Sequence, residues 1–173
     1  MKFHSKSLLK TVSGLVAFCT VLSLFVFCIP ISAEVVDEYD LKTLLENGGT
    51  ASLGADIELY ETVFVYQDVT LDLCGHTVSV VKGTSTYDMI AFDGAKTLTV
   101  TDSVGGGALD ATNALHSAIC ANNGGTVTIT GGTVCKGKSL YGLNVDGGQI
   151  VISGGRFDFD PTSYLASGYT ATA

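Results

Sequence analysis

The chain has no tryptophan, only 2 prolines in 173 residues, and 9 Lys or Arg against 17 Asp or Glu. Each scarcity excludes something. Affinity for a phosphate backbone needs clustered Lys and Arg, so a general nucleic-acid binder is excluded. The same acidic balance argues against adsorption to anionic lipid. Few prolines beside regular Val, Ile and Leu are not the composition of a disordered chain. The length suits one domain rather than a multidomain enzyme, since a domain takes roughly 100–200 residues. Long apolar runs are scarce too. There is one, Leu15 to Ile29, and it lies near the amino terminus.

That run follows a basic stretch holding Lys2, Lys6 and Lys10, is broken by Pro30, and is followed by Ile31-Ser32-Ala33. A positive start, an apolar middle and a small residue at the end are the grammar of a secretory signal. We expect cleavage after Ala33, giving a signal peptide over 1–33 and a mature domain over 34–173. An uncleaved anchor is the alternative, but about 15 apolar residues fall short of the roughly 20 that span a bilayer. No membrane insertion is expected once the signal is removed. Removal takes three lysines and no acid, so the mature chain is more acidic than the formal net charge of −8. It also takes Cys19 and Cys28 and leaves Cys74, Cys120 and Cys135. An odd number in an exported chain permits at most one disulfide, between any two of the three. Their spacing fits no zinc pattern, and each sits among alternating apolar residues, where a cysteine behaves as a small hydrophobe.

Only one helical pattern exists in the mature chain. Leu41, Leu44 and Leu45 form a stripe at i, i+3 and i+4, with Asp40 as the expected N-cap and Gly48 as the stop, which predicts a helix over 40–47. After Gly49 the period changes. Short runs rich in Val, Ile and Thr alternate apolar and polar residues, separated by Gly, Asn or Asp, which predicts strands and turns. They begin at Thr50–Leu53 and end at Arg156–Phe159, with no room for crossover helices.

Internal repetition decides between all-β architectures. Asn123-Gly124-Gly125-Thr126-Val127-Thr128-Ile129-Thr130-Gly131-Gly132 precedes a similar Asp146-Gly147-Gly148-Gln149-Ile150-Val151-Ile152-Ser153-Gly154-Gly155 by 23 residues. A step of 29 lays Ser117–Ala121 on Asp88–Phe92 and Thr126–Thr130 on Thr97–Thr101, and a second step of 29 carries Leu98–Val100 back to Val69–Leu71. A unit of this size cannot bury its apolar side alone and must stack on its neighbours. Parity assigns Leu98/Val100, Val127/Ile129 and Ile150/Ile152 to the inside, in ladders with one rung per circuit. A β-sandwich also has short strands, but it does not explain a repeat.

These motifs, with Val69-Thr70-Leu71-Asp72-Leu73-Cys74-Gly75-His76-Thr77-Val78 and Phe159-Asp160-Pro161-Thr162-Ser163-Tyr164-Leu165-Ala166-Ser167-Gly168-Tyr169, resemble the right-handed parallel β-helix of the pectin-lyase-like family. Within it the chain is similar to repeat modules of secreted and surface-exposed proteins of Gram-positive gut bacteria. The first motif departs from L-D-L-N-G-H-T-I by placing Cys74 where that pattern has Asn. The resemblance implies an all-β solenoid of about 4–5 coils over about 50–159, a capping helix at 40–47, and a carboxy-terminal cap or extension over 160–173.

The resemblance also raises enzymes, since lyases and hydrolases share the fold. Its lyases use calcium-binding carboxylates with an Arg or Lys base, and its hydrolases use Asp triplets. Arg156 stands alone, and Lys82, Lys96, Lys136 and Lys138 are isolated or near turns. The Gly105-Gly106-Gly107-Ala108-Leu109-Asp110 run misses the calcium nonapeptide at its fourth position, leaving Asp102, Asp110 and Asp146 as turn-capping residues. His76 reads as a corner residue and His116 as a solvent-exposed one. Two rows of outward threonines do not make a binding plane, and the tyrosines read as scattered. No catalytic, cofactor or metal residue is assigned. The expectation is a secreted or cell-surface, non-catalytic, adhesin-like module that touches extracellular glycan or host matrix. The alternative is a polysaccharide-active lyase or hydrolase, or a degenerate relative of one.

Overall fold

In the computed structural model the described residues are 33–139 and 141–172. The signal-peptide reading lies outside them, apart from Ala33. Among the described residues, fifteen short strands, one helix and one 3-10 turn follow in chain order. They are β1 (Ala33–Val35), α1 (Glu38–Asn47), β2 (Gly49–Leu53), β3 (Ile57–Leu59), β4 (Val63–Val65), β5 (Val69–Asp72), β6 (Thr77–Val80) and β7 (Ile90–Phe92). Then come β8 (Thr97–Thr101), β9 (Ala108–Asp110), β10 (Ile119–Asn122), β11 (Thr126–Ile129), β12 (Thr133–Cys135), β13 (Leu143–Asp146), β14 (Gln149–Ile152), β15 (Arg156–Phe157) and the turn Thr162–Tyr164.

Every pairing between these strands is parallel, and they form three sheets. The first runs β1-β2-β5-β8-β11-β14, the second β3-β6-β9-β12-β15, and the third β4-β7-β10-β13. The chain therefore visits first, second and third sheet in turn and repeats the circuit, an arrangement consistent with a parallel β-helix. The ladder in the first sheet reproduces the sequence repeat. Val69 pairs with Leu98, Leu98 with Val127 and Val127 with Ile150, which are the steps of 29, 29 and 23. An earlier step, Gly49 to Val69, is shorter and escaped the sequence comparison.

Period-two alternation sends one side chain in two to the interior. Leu71, Val100, Ile129 and Ile152 form one ladder, and Val69, Leu98, Val127 and Ile150 another, all buried. Val78, Leu109, Val134 and Phe157 line the second sheet, and Ile90, Ile119 and Leu143 the third. Each fully buried aliphatic side chain contributes roughly 1.5–3 kcal/mol. The helix occupies the position that strands of the second and third sheets hold elsewhere, following β1 of the first sheet. Its buried Leu41, Leu44 and Leu45 close the amino-terminal end of the core. It starts earlier than the leucine stripe indicates. Asp37, not Asp40, is the N-cap, accepting the Asp40 N–H at 2.8 Å, while the Asp40 carboxylate accepts the Val36 N–H at 3.3 Å. The helix stops at Gly48 (φ 78°), whose N–H donates to the Leu44 carbonyl.

Strand edges differ from the sequence reading at several places. Thr133–Cys135 and Ala108–Asp110 are strands, although glycines crowd both. Arg156–Phe159 shortens to Arg156–Phe157. Phe157, Phe159, Tyr164 and Leu165 pack against the last circuit of the core.

Candidate functional site

The corner between the second and third sheets, with the outer face of the third, gathers polar chemistry and exposed aromatic rings. Consecutive corner segments are tied to one another. The Leu115 N–H donates to the Thr86 carbonyl (2.9 Å) and the His116 N–H to that of Tyr87 (2.8 Å), while the Thr86 hydroxyl reaches the Tyr60 carbonyl (3.3 Å). This backbone stacking lays side chains of successive circuits over one another. The Tyr87 and His116 rings stack, with centroids 4.8 Å apart and planes 14° apart, and Tyr141 meets His116 in a tilted contact at 5.2 Å and 46°. Tyr60, Phe64, Tyr66, Tyr87 and Tyr141 are all exposed; Tyr60, Tyr87 and Tyr141 belong to this corner, Phe64 to the outer side of β4, and Tyr66 follows β4 directly. The tyrosines read as scattered in sequence are in part aligned here.

His116 corrects the sequence reading more sharply. Its side chain is only 15% exposed, and Nδ1 lies 2.8 Å from Oδ1 of Asp88, itself 10% exposed. The acid lies a full circuit back in the chain, so its partnership is invisible among near neighbours. Asp88 Oδ1 also accepts the Ser117 N–H (3.1 Å) and hydroxyl (2.5 Å), and the Asp88 carbonyl accepts the Thr62 hydroxyl (2.6 Å). A buried carboxylate survives when hydrogen bonds and a cationic or polar partner replace its water. Through its side chain on one side and its carbonyl on the other, Asp88 ties three consecutive circuits together.

The chemistry open to this cluster follows from its connectivity. In a nucleophilic triad the imidazole bridges acid and hydroxyl. Here the acid bridges imidazole and hydroxyl, and Ser117 is fully buried, so Ser117 is not a nucleophile. Cys120 lies beside Asp88 on the same face. Burial pushes its thiol pKa up, the Asn144 amide at 3.3 Å pulls the other way, and the Asp88 and Asp146 charges raise it further. Burial likewise raises Cys135, helped by Asp110 and Asp158. Thiols so placed stay protonated and weakly reactive. All three described cysteines are free. What the cluster does present is an imidazole oriented through Nδ1, with no protein hydrogen bond to Nε2 among the described residues.

The other residues singled out from the sequence go elsewhere. His76 stands at a corner, 3.4 Å from Asp56 and partly exposed. Asp102 accepts N–H groups from Gly75, Gly105 and Gly107, and Asp110 accepts that of Thr112, which is turn capping. Among the described residues no group of three or more His, Cys, Asp or Glu is placed to hold a metal ion. The outward threonine rows extend beyond the two seen in sequence, since Thr50, Thr70, Thr99 and Thr128 stand in one column ending at Val151. Lys136 bonds the Asp158 carbonyl through Nζ, and Arg156 sits at the far end of the second sheet, away from the Asp88 cluster. Among the described residues no helix is long and apolar enough to cross a membrane. Compared with protein-family models, curated proteins and solved structures, the chain matches none of them.

Proposed function

We propose that the chain is an exported, right-handed, pectin-lyase-like β-helix module that works at or outside the cell surface by binding, without catalysis, to an extracellular glycan or matrix component. Export rests on the basic, apolar and small-residue order of the first 33 positions. The fold reading rests on three parallel sheets visited in rotation. The ligand reading rests on one observation: exposed aromatic rings gather at the Tyr87–His116–Tyr141 corner beside a polar imidazole edge. Tyrosine offers an apolar body and a hydroxyl tip, which suits a ligand whose C–H faces and hydroxyls alternate. A glycan array followed by calorimetry on the best hit tests this. Tyr87→Ala and Tyr141→Ala each weaken binding about tenfold, or about 1.4 kcal/mol, while Tyr39→Ala, on the exposed side of α1, leaves it unchanged. Equal losses from all three variants, or an array without hits, would defeat the proposal.

A second reading is favoured by the Asp88–His116 pair. A carboxylate on Nδ1 with Nε2 open is how general bases are oriented. In that reading the chain is a polysaccharide-active enzyme or its relic, with His116 the proton acceptor. Incubation with polygalacturonate and neutral polysaccharides separates the two. Product formation that disappears in His116→Asn would replace the binding reading by the enzymatic one.

A further inference from the structure

Five asparagines occur in the chain, and two of them precede glycine, in Asn47-Gly48 and Asn123-Gly124. That pairing is chemically special. Without a Cβ on the following residue, its main-chain nitrogen approaches the asparagine carboxamide carbon with the least hindrance. The other three asparagines are followed by Ala114, Asn123 and Val145, whose side chains crowd that approach.

The structure separates the two Asn-Gly pairs. Gly48 closes α1, its N–H donating to the Leu44 carbonyl at 2.8 Å, and the Asn47 amide donates to the Thr43 carbonyl at 3.0 Å. The nitrogen that would attack Asn47 is thus held in the last helical turn. Asn123 and Gly124 are instead the two central residues of a turn, closed by the Gly125 N–H on the Asn122 carbonyl at 2.8 Å. Both have positive φ, 52° and 81°, as a type I′ turn requires. Such a turn leaves the N–H of its third residue unused, and among the described residues the Gly124 N–H donates to no acceptor. Both residues are exposed, so water reaches the reacting atoms. An exposed turn of this kind opens locally at low cost. The Asn123 side chain is held by one bond, from its amide to the Phe92 carbonyl at 2.9 Å.

We propose that Asn123 is a site of spontaneous deamidation. The Gly124 main-chain nitrogen gives its proton to solvent hydroxide and attacks the Asn123 side-chain carbonyl carbon. The new C–N bond closes a five-membered succinimide, the bond to Nδ2 breaks, and the side-chain nitrogen leaves as ammonia. Water then opens either carbonyl of the ring, giving aspartate or isoaspartate, and nothing is oxidised or reduced. Both products lack the amide donor that ties this turn to Phe92 one circuit back. Incubating the folded chain in mildly alkaline buffer tests this, with peptide mass spectrometry at each asparagine and an isoaspartyl-methyltransferase assay. The same incubation in urea supplies the comparison, because unfolding frees Gly48 and makes the two Asn-Gly pairs alike. The expected result is comparable amide-to-acid conversion at Asn47 and Asn123 in urea. In the folded chain, conversion at Asn123 is about tenfold faster than at Asn47, with isoaspartate accompanying aspartate. Conversion at Asn47 as fast as at Asn123 in the folded chain overturns the proposal. So does a folded Asn123 that stays intact while the unfolded one reacts. Aspartate without isoaspartate at Asn123 overturns it as well, because direct hydrolysis of the amide bypasses Gly124.

Discussion

Cys74 and Asn123 hold the same unusual backbone conformation, with φ of 50° and 52°, and each precedes a glycine with positive φ, Gly75 and Gly124. Asparagine visits this left-handed region readily, whereas most side chains meet a cost of roughly 1–2 kcal/mol there. Cys74 thus holds a backbone conformation better suited to asparagine, and Cys74→Asn is expected to raise stability by about 0.5–1 kcal/mol in urea unfolding. Asp72, two residues before it, is the acid with the clearest link between pH and stability. Burial alone would raise its pKa, but the Ser103 hydroxyl and N–H and the Cys74 N–H outweigh burial and hold it below the ordinary carboxylate value. A lowered folded-state pKa contributes stability above the ordinary value, and that contribution is lost as pH falls through the folded one. Asp72→Asn should therefore flatten the fall in stability between about pH 5 and about pH 3; an unchanged slope would mean other acids carry it. At Asp88 the penalty is larger. Asp88→Ala leaves the buried Ser117 hydroxyl without its acceptor and is expected to cost about 2–4 kcal/mol by the same unfolding measurement.

Among the elements, α1 shows how little separates a correct helix from its correct start. The leucine stripe at 41, 44 and 45 marks the buried face unambiguously. It does not mark the first turn, where Asp37 and Asp40 both qualify as caps and only backbone geometry selects Asp37. Asp37→Ala should cost about 1 kcal/mol, and Asp40→Ala less, because the Asp40 bond to Val36 is longer and exposed. The strands divide in the same way. Long alternating segments such as Thr97–Thr101 reveal themselves, while Ala108–Asp110, behind three glycines, does not. Its strand character comes from β6 and β12 on either side rather than from propensity. Glycine is also essential where circuits approach closely. A Cβ at Gly148 would collide with the Gly125 and Ala121 carbonyl oxygens, which are backbone and cannot turn aside. Gly148→Ala is therefore expected to lower the thermal midpoint by several degrees, whereas Gly147, with open space around it, tolerates alanine better sterically but not in φ, at 79°.

For the whole molecule, stability is shared along ladders, each circuit resting on its neighbours. Ile129 sits in mid-ladder between Val100 and Ile152 and is fully buried. Ile129→Ala should cost about 2–5 kcal/mol, and hydrogen exchange should show protection falling on both adjacent circuits rather than at the site alone. The sequence by itself determined the inward residues of the first sheet's later strands, their stacking order and the steps of 29, 29 and 23, because period-two alternation and a recurring unit leave one register that keeps apolar side chains inside. It even placed Asp88 over Ser117, since both fall on the same position of the repeat. Only the tertiary structure decided the rest. The rings of Tyr87, His116 and Tyr141, and the hydrogen bond of Asp88 with His116, lie in corners whose lengths differ from circuit to circuit. Such corners escape the repeat, and their side-chain directions are set by turn geometry and by the circuit stacked beside them, which no local pattern of residues encodes.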